Sequence, residues 1–255
     1  MSAPVVLITG ALSGIGRATA LSYGRDKARV VVSGRRPEAG AELAKELEAL
    51  GAEAEFVQAD VRFDEDVRRL VDRAVERFGR IDVAFNNAGT DGNPGPVTDI
   101  TDELYAGTFN TNVKGTLFGL KHEFRAMAAT GGGSIVNMSS TYGQTGFPNA
   151  ALYVGSKHAV VGITKGAALE GAPLGIRVNA VAPGFTRTAM YERTTGNDQT
   201  RQAINSMLPM HRAGEPDEIA EAVKFLGSPA SSYITGQLIT LDGGLLAGSP
   251  LFPQS

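Results

Sequence analysis

The chain has 255 residues, a formal net charge of −3, 42% apolar and 20% charged residues, and no cysteine. That length carries one α/β domain with a sizeable core, and the absence of a basic stripe argues against nucleic acid as a partner. Disulfides, thiolate catalysis and cysteine-bound metals are excluded, and His122, His158 and His211 lack metal-ligand spacing, so no metal is expected.

The first predicted element is a strand over 5–9, an apolar β-branched run that ends in Gly10-Ala11-Leu12-Ser13-Gly14-Ile15-Gly16. A helical pattern follows over 15–24. Strand, glycine turn, helix is an arrangement that aims backbone amides and the positive end of a helix dipole at an anion such as a diphosphate. The spacing is Gly-x-x-x-Gly-x-Gly, without the Gly-Lys-Ser/Thr ending of a nucleoside-triphosphatase loop. The N-terminus enters this strand almost at once, without the leader of a signal peptide. No run is long enough to span a membrane, so a soluble, cytoplasmic protein is expected.

Further strands are predicted over 28–33, 53–58, 81–85, 133–139, 175–181 and 235–240, and further helices over 38–50, 64–78, 102–129, 152–171 and 215–227. The strands are rich in Val and Ile, as parallel strands covered on both faces are. Regular alternation of this kind predicts a Rossmann-type doubly wound parallel sheet, as a single domain over 1–255. Residues 187–210 interrupt the rhythm with polar residues and Gly196. They are expected to form a long irregular insertion, a substrate lid, with a packed helical excursion without motion as the compatible alternative.

Right-handed crossovers put the loops after the strand C-termini on one edge, where ligands bind. Gly10, Gly14 and Gly16 follow the first strand and Asp60 the third. Asn86-Asn87-Ala88-Gly89 follows the fourth, Ser139-Ser140 the fifth, and Pro183-Gly184 the sixth. On the helix after the fifth strand lies Tyr153-Val154-Gly155-Ser156-Lys157. Helical spacing sets the phenol and the ammonium on one face, one turn apart. A nearby ammonium favours the phenolate and is expected to lower a tyrosine pKa that otherwise sits near ~10. Such a tyrosine can move protons near neutral pH.

This set of motifs resembles the short-chain dehydrogenase/reductase family, over essentially the whole chain from Thr9-Gly10 to Leu241-Asp242-Gly243-Gly244. The resemblance implies a nicotinamide dinucleotide cofactor and a ketone or secondary alcohol as the small-molecule substrate. It implies Tyr153 and Lys157 as the catalytic tyrosine and lysine. Ser140, thirteen residues before the tyrosine, matches the catalytic serine. Asn112 matches the catalytic asparagine, which would anchor a water between Lys157 and solvent; on its residues alone it reads as repair of a bend inside a long helix. Gly10, Ser13, Gly14, Ile15 and Gly16 match the diphosphate turn. Asp60 and Val61 match the residues beside the adenine, and Asn87, Ala88 and Gly89 those beside the cofactor ribose. Pro183, Gly184 and Thr186 or Thr188 match the loop that holds the nicotinamide amide. The family also implies a homotetramer, with helices 102–129 and 152–171 against symmetry mates.

The chemistry suits these residue types. Tyr153 gives a proton to the substrate oxygen during reduction and takes it back during oxidation. Ser140 holds that oxygen in line. Lys157 stabilises the phenolate and reaches the ribose hydroxyls.

Cofactor choice turns on Ser33-Gly34-Arg35-Arg36-Pro37. An NAD site carries an acidic residue there, about 20 residues past the glycines, and this chain has Gly34. Arg35 and Arg36 can clamp a 2′-phosphate with charge-assisted bonds, and Ser33 can add a hydroxyl. NADP(H) is favoured, with NAD(H) as the alternative. Ser13 counts against NADP(H), because a basic residue takes that position in some NADP enzymes. Tyr142, Gln144, Phe147, Asn149, Met190 and Tyr191, with Ser140 and Tyr153, are expected to line the substrate pocket. A catalytically silent dinucleotide sensor on the same fold is the alternative function, and the intact catalytic set weighs against it. An epimerase or dehydratase on a related fold would need more chain than the residues after Gly244.

Overall fold

The computed structural model describes residues 3–248. Its elements, in chain order, are β1 (Val5–Ile8), α1 (Gly14–Arg25), β2 (Arg29–Gly34), α2 (Pro37–Ala49), β3 (Glu53–Gln58), α3 (Asp64–Phe78), β4 (Val83–Asn86), α4 (Asp102–Phe109), α5 (Gly115–Ala128), β5 (Gly133–Met138), α6 (Ala151–Gly171), β6 (Ile176–Pro183), α7 (Ala189–Thr195), α8 (Asp198–Met207), α9 (Pro216–Gly227) and β7 (Leu238–Leu241). The strands form one parallel sheet in the order β3-β2-β1-β4-β5-β6-β7. The strand order reverses between β1 and β4, which opens a crevice at their C-terminal ends. This is the doubly wound fold that the alternating pattern predicts.

Both faces of the sheet are covered, and the period-2 alternation of strand side chains divides the core. Val6, Ile8, Val30 and Val32 pack with Leu43 and Leu47 of α2 and Ile219, Val223 and Leu226 of α9. Leu7 and Val31 face the other way, towards Leu70 and Val71 of α3, Leu120 and Met127 of α5 and Ala168 of α6. Local signals set the helix ends. α2 and α9 have proline in their first turn, Glu215 and Glu218 form a capping box on α9, and α3 stops at Gly79 with φ 80°.

Two differences from expectation matter for function. The continuous helix over 102–129 is instead α4 and α5, joined by a π-helical stretch at Asn110–Lys114. The extra backbone residue in that turn sits where Asn112 leaves the helix to bond a loop, a known cause of such bulges. Residues 187–210 are not irregular: α7 and α8 occupy most of them. Their caps are the polar residues that looked like loop signals. Thr188 accepts a hydrogen bond from the backbone N–H of Tyr191, and Asn197 accepts one from that of Thr200.

A buried polar chain ties the middle of the sheet to its helices. Asn86 donates to Glu123 Oε2 at 2.9 Å and to Asn137 Oδ1 at 3.1 Å, and Asn137 donates to Thr164 at 3.0 Å. Burial pushes the Glu123 carboxyl up to about 7, against the pull of the Asn86 amide. No described helix is long and apolar enough to cross a membrane. No cluster of potential metal ligands occurs among the described residues.

Candidate active site

At the C-terminal edge of the sheet two cavities meet. The first, of about 570 Å³, lies over β1, β2 and β3 and is lined by Gly10, Leu12, Gly34, Arg35, Arg36, Asp60, Val61, Arg62 and Ala88, among others. The second, a cleft of about 460 Å³, contains Ser140, Tyr153, Lys157, Pro183 and Gly184. Ser13, Gly89 and Thr90 line both, so the two are continuous around the start of α1 and the end of β4.

The glycine turn is built by contact with the segment after β4. Gly10 has φ 63°, and a Cβ there would lie 2.8 Å from the Ala88 backbone. Gly16 lines neither cavity; a side chain on it would collide with the Asn87 amide and the Gly10 carbonyl. Asn87 Nδ2 donates to the carbonyls of Thr9 and Gly10, both at 3.0 Å. Asn87 thus holds the turn in shape. Ser13 precedes α1 in extended conformation and makes no side-chain cap, and the first turn of α1 has no acidic residue. The helix N–H groups are left for a ligand, which suits an anionic diphosphate.

The second cleft rests on β5 and α6. β5 ends at Met138, and its two following serines diverge. Ser139 Oγ donates to the Lys157 carbonyl at 3.1 Å, which occupies it. Ser140 Oγ accepts from Tyr142 N–H at 3.2 Å and lines the cleft. Lys157 is 3% exposed; its ammonium donates to the Met138 carbonyl at 2.8 Å and lies 5.5 Å from the centre of the Tyr153 ring. Asn112 lines neither cavity. Its amide accepts from Thr90 N–H at 2.8 Å and donates to the Thr90 carbonyl and to Ser156 Oγ, both at 2.9 Å. It braces the loop after β4 against α6, so the bend in the helix and the brace are one feature.

Electrostatics correct one expectation. Burial pushes the Tyr153 phenol up to about 12; Ser140 pulls against that rise and the charge of Asp91 adds to it. Burial also pushes Lys157 down to about 8. The depression expected from a neighbouring ammonium is outweighed, because the apolar cleft disfavours the charged form of both groups. Near neutral pH the pair is a neutral phenol beside an ammonium.

The structure brings most of the sequence-predicted residues to one of the two cavities. Tyr142, Phe147, Asn149, Met190 and Tyr191 line the cleft, as do Ile15, Asn87, Thr186 and Thr188. Tyr142 stacks on Phe147 at 4.8 Å and meets Tyr153 edge-on at 6.0 Å. Two do not fit. Gln144 donates to Thr240 Oγ1 at 2.8 Å and is outside the cleft, because the short helical turn at Thr141–Gly143 aims it at β7. Ser33 is 1% exposed, its hydroxyl has no partner, and it does not line the first cavity. Ser33 lies inside β2, which is covered on both faces, while Arg35 follows the end of the strand and stays exposed.

The sequence reading missed Arg62 and Asp91. Arg62 lines the first cavity and is tied to Asp60, with Nη2 at 2.6 Å from Oδ2, which holds the Asp60 carboxyl below its ordinary range. A survey of cations just past each strand end would have found it. Asp91 lines the cleft and pairs with Arg193 of α7 at 2.8 Å, a contact between residues 102 positions apart that no local pattern announces. Leu12 also matters: a Cβ on Gly34 would lie 2.5 Å from its Cδ1. Leu12 thus fills the space next to the position where an NAD site carries its acid.

Comparison with known proteins agrees with this geometry. A family model described as Enoyl-(Acyl carrier protein) reductase, of the short-chain alcohol dehydrogenase group, matches residues 10–246. The chain belongs to the short-chain dehydrogenase/reductase family. It is 47% identical over 242 residues to an A-factor type gamma-butyrolactone 1′-reductase (1S-forming) of Streptomyces virginiae, covering 94% of each. It is 38% identical to a cyclohexanol dehydrogenase of an Acinetobacter species, covering 94% of this chain and 93% of the relative. Among solved structures, ElxO with NADP bound superposes with a TM-score of 0.91 at 36% identity, covering 97% of this chain and all of the other. A variant of actinorhodin polyketide ketoreductase with NADPH gives 0.91 at 38%, covering 95% and 97%. Family membership makes this protein an oxidoreductase of alcohol and carbonyl groups.

Proposed function

We propose that the protein reduces a neutral ketone to a secondary alcohol, and catalyses the reverse reaction, with NADP(H) preferred over NAD(H). The observation that carries this reading is the continuity of the two spaces: a phenol with its serine and ammonium in an apolar cleft opens directly into an arginine-lined cavity. The residues fit a nicotinamide dinucleotide. The uncapped start of α1 and the tight turn at Gly10 suit its diphosphate, and Arg35 and Arg36 suit a 2′-phosphate. Solved relatives carry NADP or NADPH. When bound, the dinucleotide supplies or accepts the hydride.

The chain's own residues handle the proton and the geometry. Tyr153, kept protonated by burial, donates its phenolic proton to the ketone oxygen as that oxygen gains charge. Ser140 holds the oxygen beside the phenol. Lys157 remains charged near neutral pH and stabilises the phenolate that Tyr153 becomes. Asn112 positions the loop at Thr90 that borders both spaces. A neutral phenol suits the reductive direction, since oxidation needs the phenolate first.

α5 and α6 are proposed to pack in a homotetramer. Leu117 and Leu169 are 45% and 80% exposed on these helices. A side chain on Gly162 or Gly166 would meet nothing within 4 Å, so these positions are free for a neighbouring copy. Sedimentation as a monomer at micromolar concentration would refute this part.

The test of function is oxidation of NADPH, followed by absorbance, with a panel of neutral ketones. A γ-butyrolactone with a 1′-keto side chain belongs in it, because the Streptomyces virginiae relative is named for that reduction. Turnover of at least one ketone, faster with NADPH than with NADH, is expected. Failure of every ketone and every matching alcohol with both cofactors would overturn the reading in favour of a silent dinucleotide sensor.

A further inference from the structure

A third cavity of about 320 Å³ opens between the loop after β4 and the start of α6. It shares Asp91, Pro94, Asn149, Ala150 and Tyr153 with the catalytic cleft. The two spaces therefore adjoin along a shared wall that includes Tyr153. The walls that belong to the third cavity alone include Pro96, Ile100, Ala151 and Leu152, and Leu104 lines its far side. Ile100 is 38% exposed, a large apolar side chain with no cover.

The junction is held in place. Gly95 N–H donates to the Asn149 carbonyl at 2.7 Å, which ties the two walls together. Asn149 has φ 61°, a left-handed conformation that a non-glycine residue keeps only where its surroundings hold it. Asp91 is the charged residue at the junction, and its carboxylate is paired with Arg193. Asp99 is the other carboxylate on the wall and takes a hydrogen bond from Thr98 at 3.0 Å. Neither wall offers an unpaired cation that would select a carboxylate.

A ketone presents three demands at once. Its oxygen must face Tyr153 and Ser140, one face must stay open to the hydride, and its two substituents must diverge in the carbonyl plane. A site with two spaces adjoining at Tyr153, the second carrying the apolar side chains of Pro96, Ile100, Leu104 and Leu152 among polar ones, satisfies all three. Resting on the reading of Tyr153 as proton donor to a ketone, we propose that the cavity between residues 91–100 and the start of α6 is a second substrate arm, which takes an unbranched, uncharged alkyl chain. The substrate class is then an unsymmetrical ketone, with a ring in the aromatic cleft of Tyr142 and Phe147 and a flexible chain in the second arm.

The test is a series of alkyl phenyl ketones with methyl, propyl and pentyl chains, reduced with saturating NADPH. The wild-type enzyme should gain roughly three- to fourfold in kcat/KM per methylene until the arm is filled. Two variants narrow the arm from opposite walls. Ala151→Trp acts from α6. Gly95→Leu acts from the loop, where a Cβ meets nothing within 4 Å. Each should hold the methyl ketone within about twofold of wild type and erase the gain from the longer chains. A flat series in the wild type with the methyl ketone still reduced would overturn the second arm and leave the reductase reading standing. A rising series that both folded variants leave intact would also overturn it. No reduction of any member with either dinucleotide would overturn the arm, and the wider panel of ketones and alcohols would then decide the reductase reading.

Discussion

The two ends of the composite site are built on opposite principles. In the cavity over β2 and β3 the charged groups stand in solvent: Arg35 and Arg36 are exposed, and Arg62 is about half exposed and tied to Asp60. In the cleft Lys157 is buried and Tyr153 partly so, and desolvation moves both of them, Tyr153 upward and Lys157 downward. Exposed cations recognise a charged ligand without altering their own protonation. Buried groups give up solvation and gain control over which protonation state is present. On the proposed function, cofactor choice falls to one end and proton chemistry to the other, with the Ser13, Gly89 and Thr90 junction between them.

The largest expected effect lies in the cleft. Tyr153→Phe keeps the ring and its packing but removes the proton, so kcat for ketone reduction should fall by about 10²–10⁴. Affinity for NADPH, measured by fluorescence titration, should stay near wild type. Wild-type turnover in that variant at the same pH would remove Tyr153 from its role. Lys157→Ala should be next, with a loss in kcat of about tenfold or more and weaker NADPH binding, because the ammonium supports the phenolate and reaches the ribose. A variant that changes neither would take the lysine out of the site.

The pH dependence follows from the same burial. A lysine pushed down to about 8 is charged below that pH and neutral above it, while a phenol pushed up to about 12 stays protonated throughout the working range. The rate of reduction should be level between about pH 6 and pH 7, fall to about half near pH 8 and decline further above it as Lys157 loses its proton. A rate that keeps rising through pH 9 would mean that the phenolate, not the phenol, is the form in use.

Much of this site was legible in the chain, and the exceptions share a cause. Strand ends, the glycine turn, Asn87-Ala88-Gly89 and the Tyr153–Lys157 pair are local patterns, and local patterns survive folding. What escaped depends on contacts between distant segments. The bend at Asn110–Lys114 exists because Asn112 reaches Thr90, and Asp91 meets Arg193 only when α7 folds over the cleft. The polar run after β6 read as loop because the caps of α7 and α8 use the same residues as turns do. The sign of the Tyr153 shift depends on how much of the cleft is apolar, which spacing on a helix does not report. Ser33 illustrates the finest scale: it is still inside the covered strand, so the candidate phosphate ligand is a buried hydroxyl, while Arg35 two residues on lies past the strand end.

The smallest effect should come from Arg62→Ala. Its guanidinium is already committed to Asp60, so NADPH affinity should change by only about two- or threefold. A loss as large as that from removing Arg35 and Arg36 would mean that Arg62, and not the exposed pair, holds the phosphate.

The most direct measurement of the division between the two ends is the ratio of kcat/KM with NADPH to kcat/KM with NADH, for wild type and the Arg35→Ala/Arg36→Ala double variant, with one ketone. A charge-assisted hydrogen bond contributes about 1.5–3 kcal/mol, so losing even one should cost about tenfold or more. The account predicts a wild-type ratio above one that falls at least about tenfold in the double variant while the NADH value holds. A wild-type ratio below one, or an equal loss with both cofactors, would contradict it.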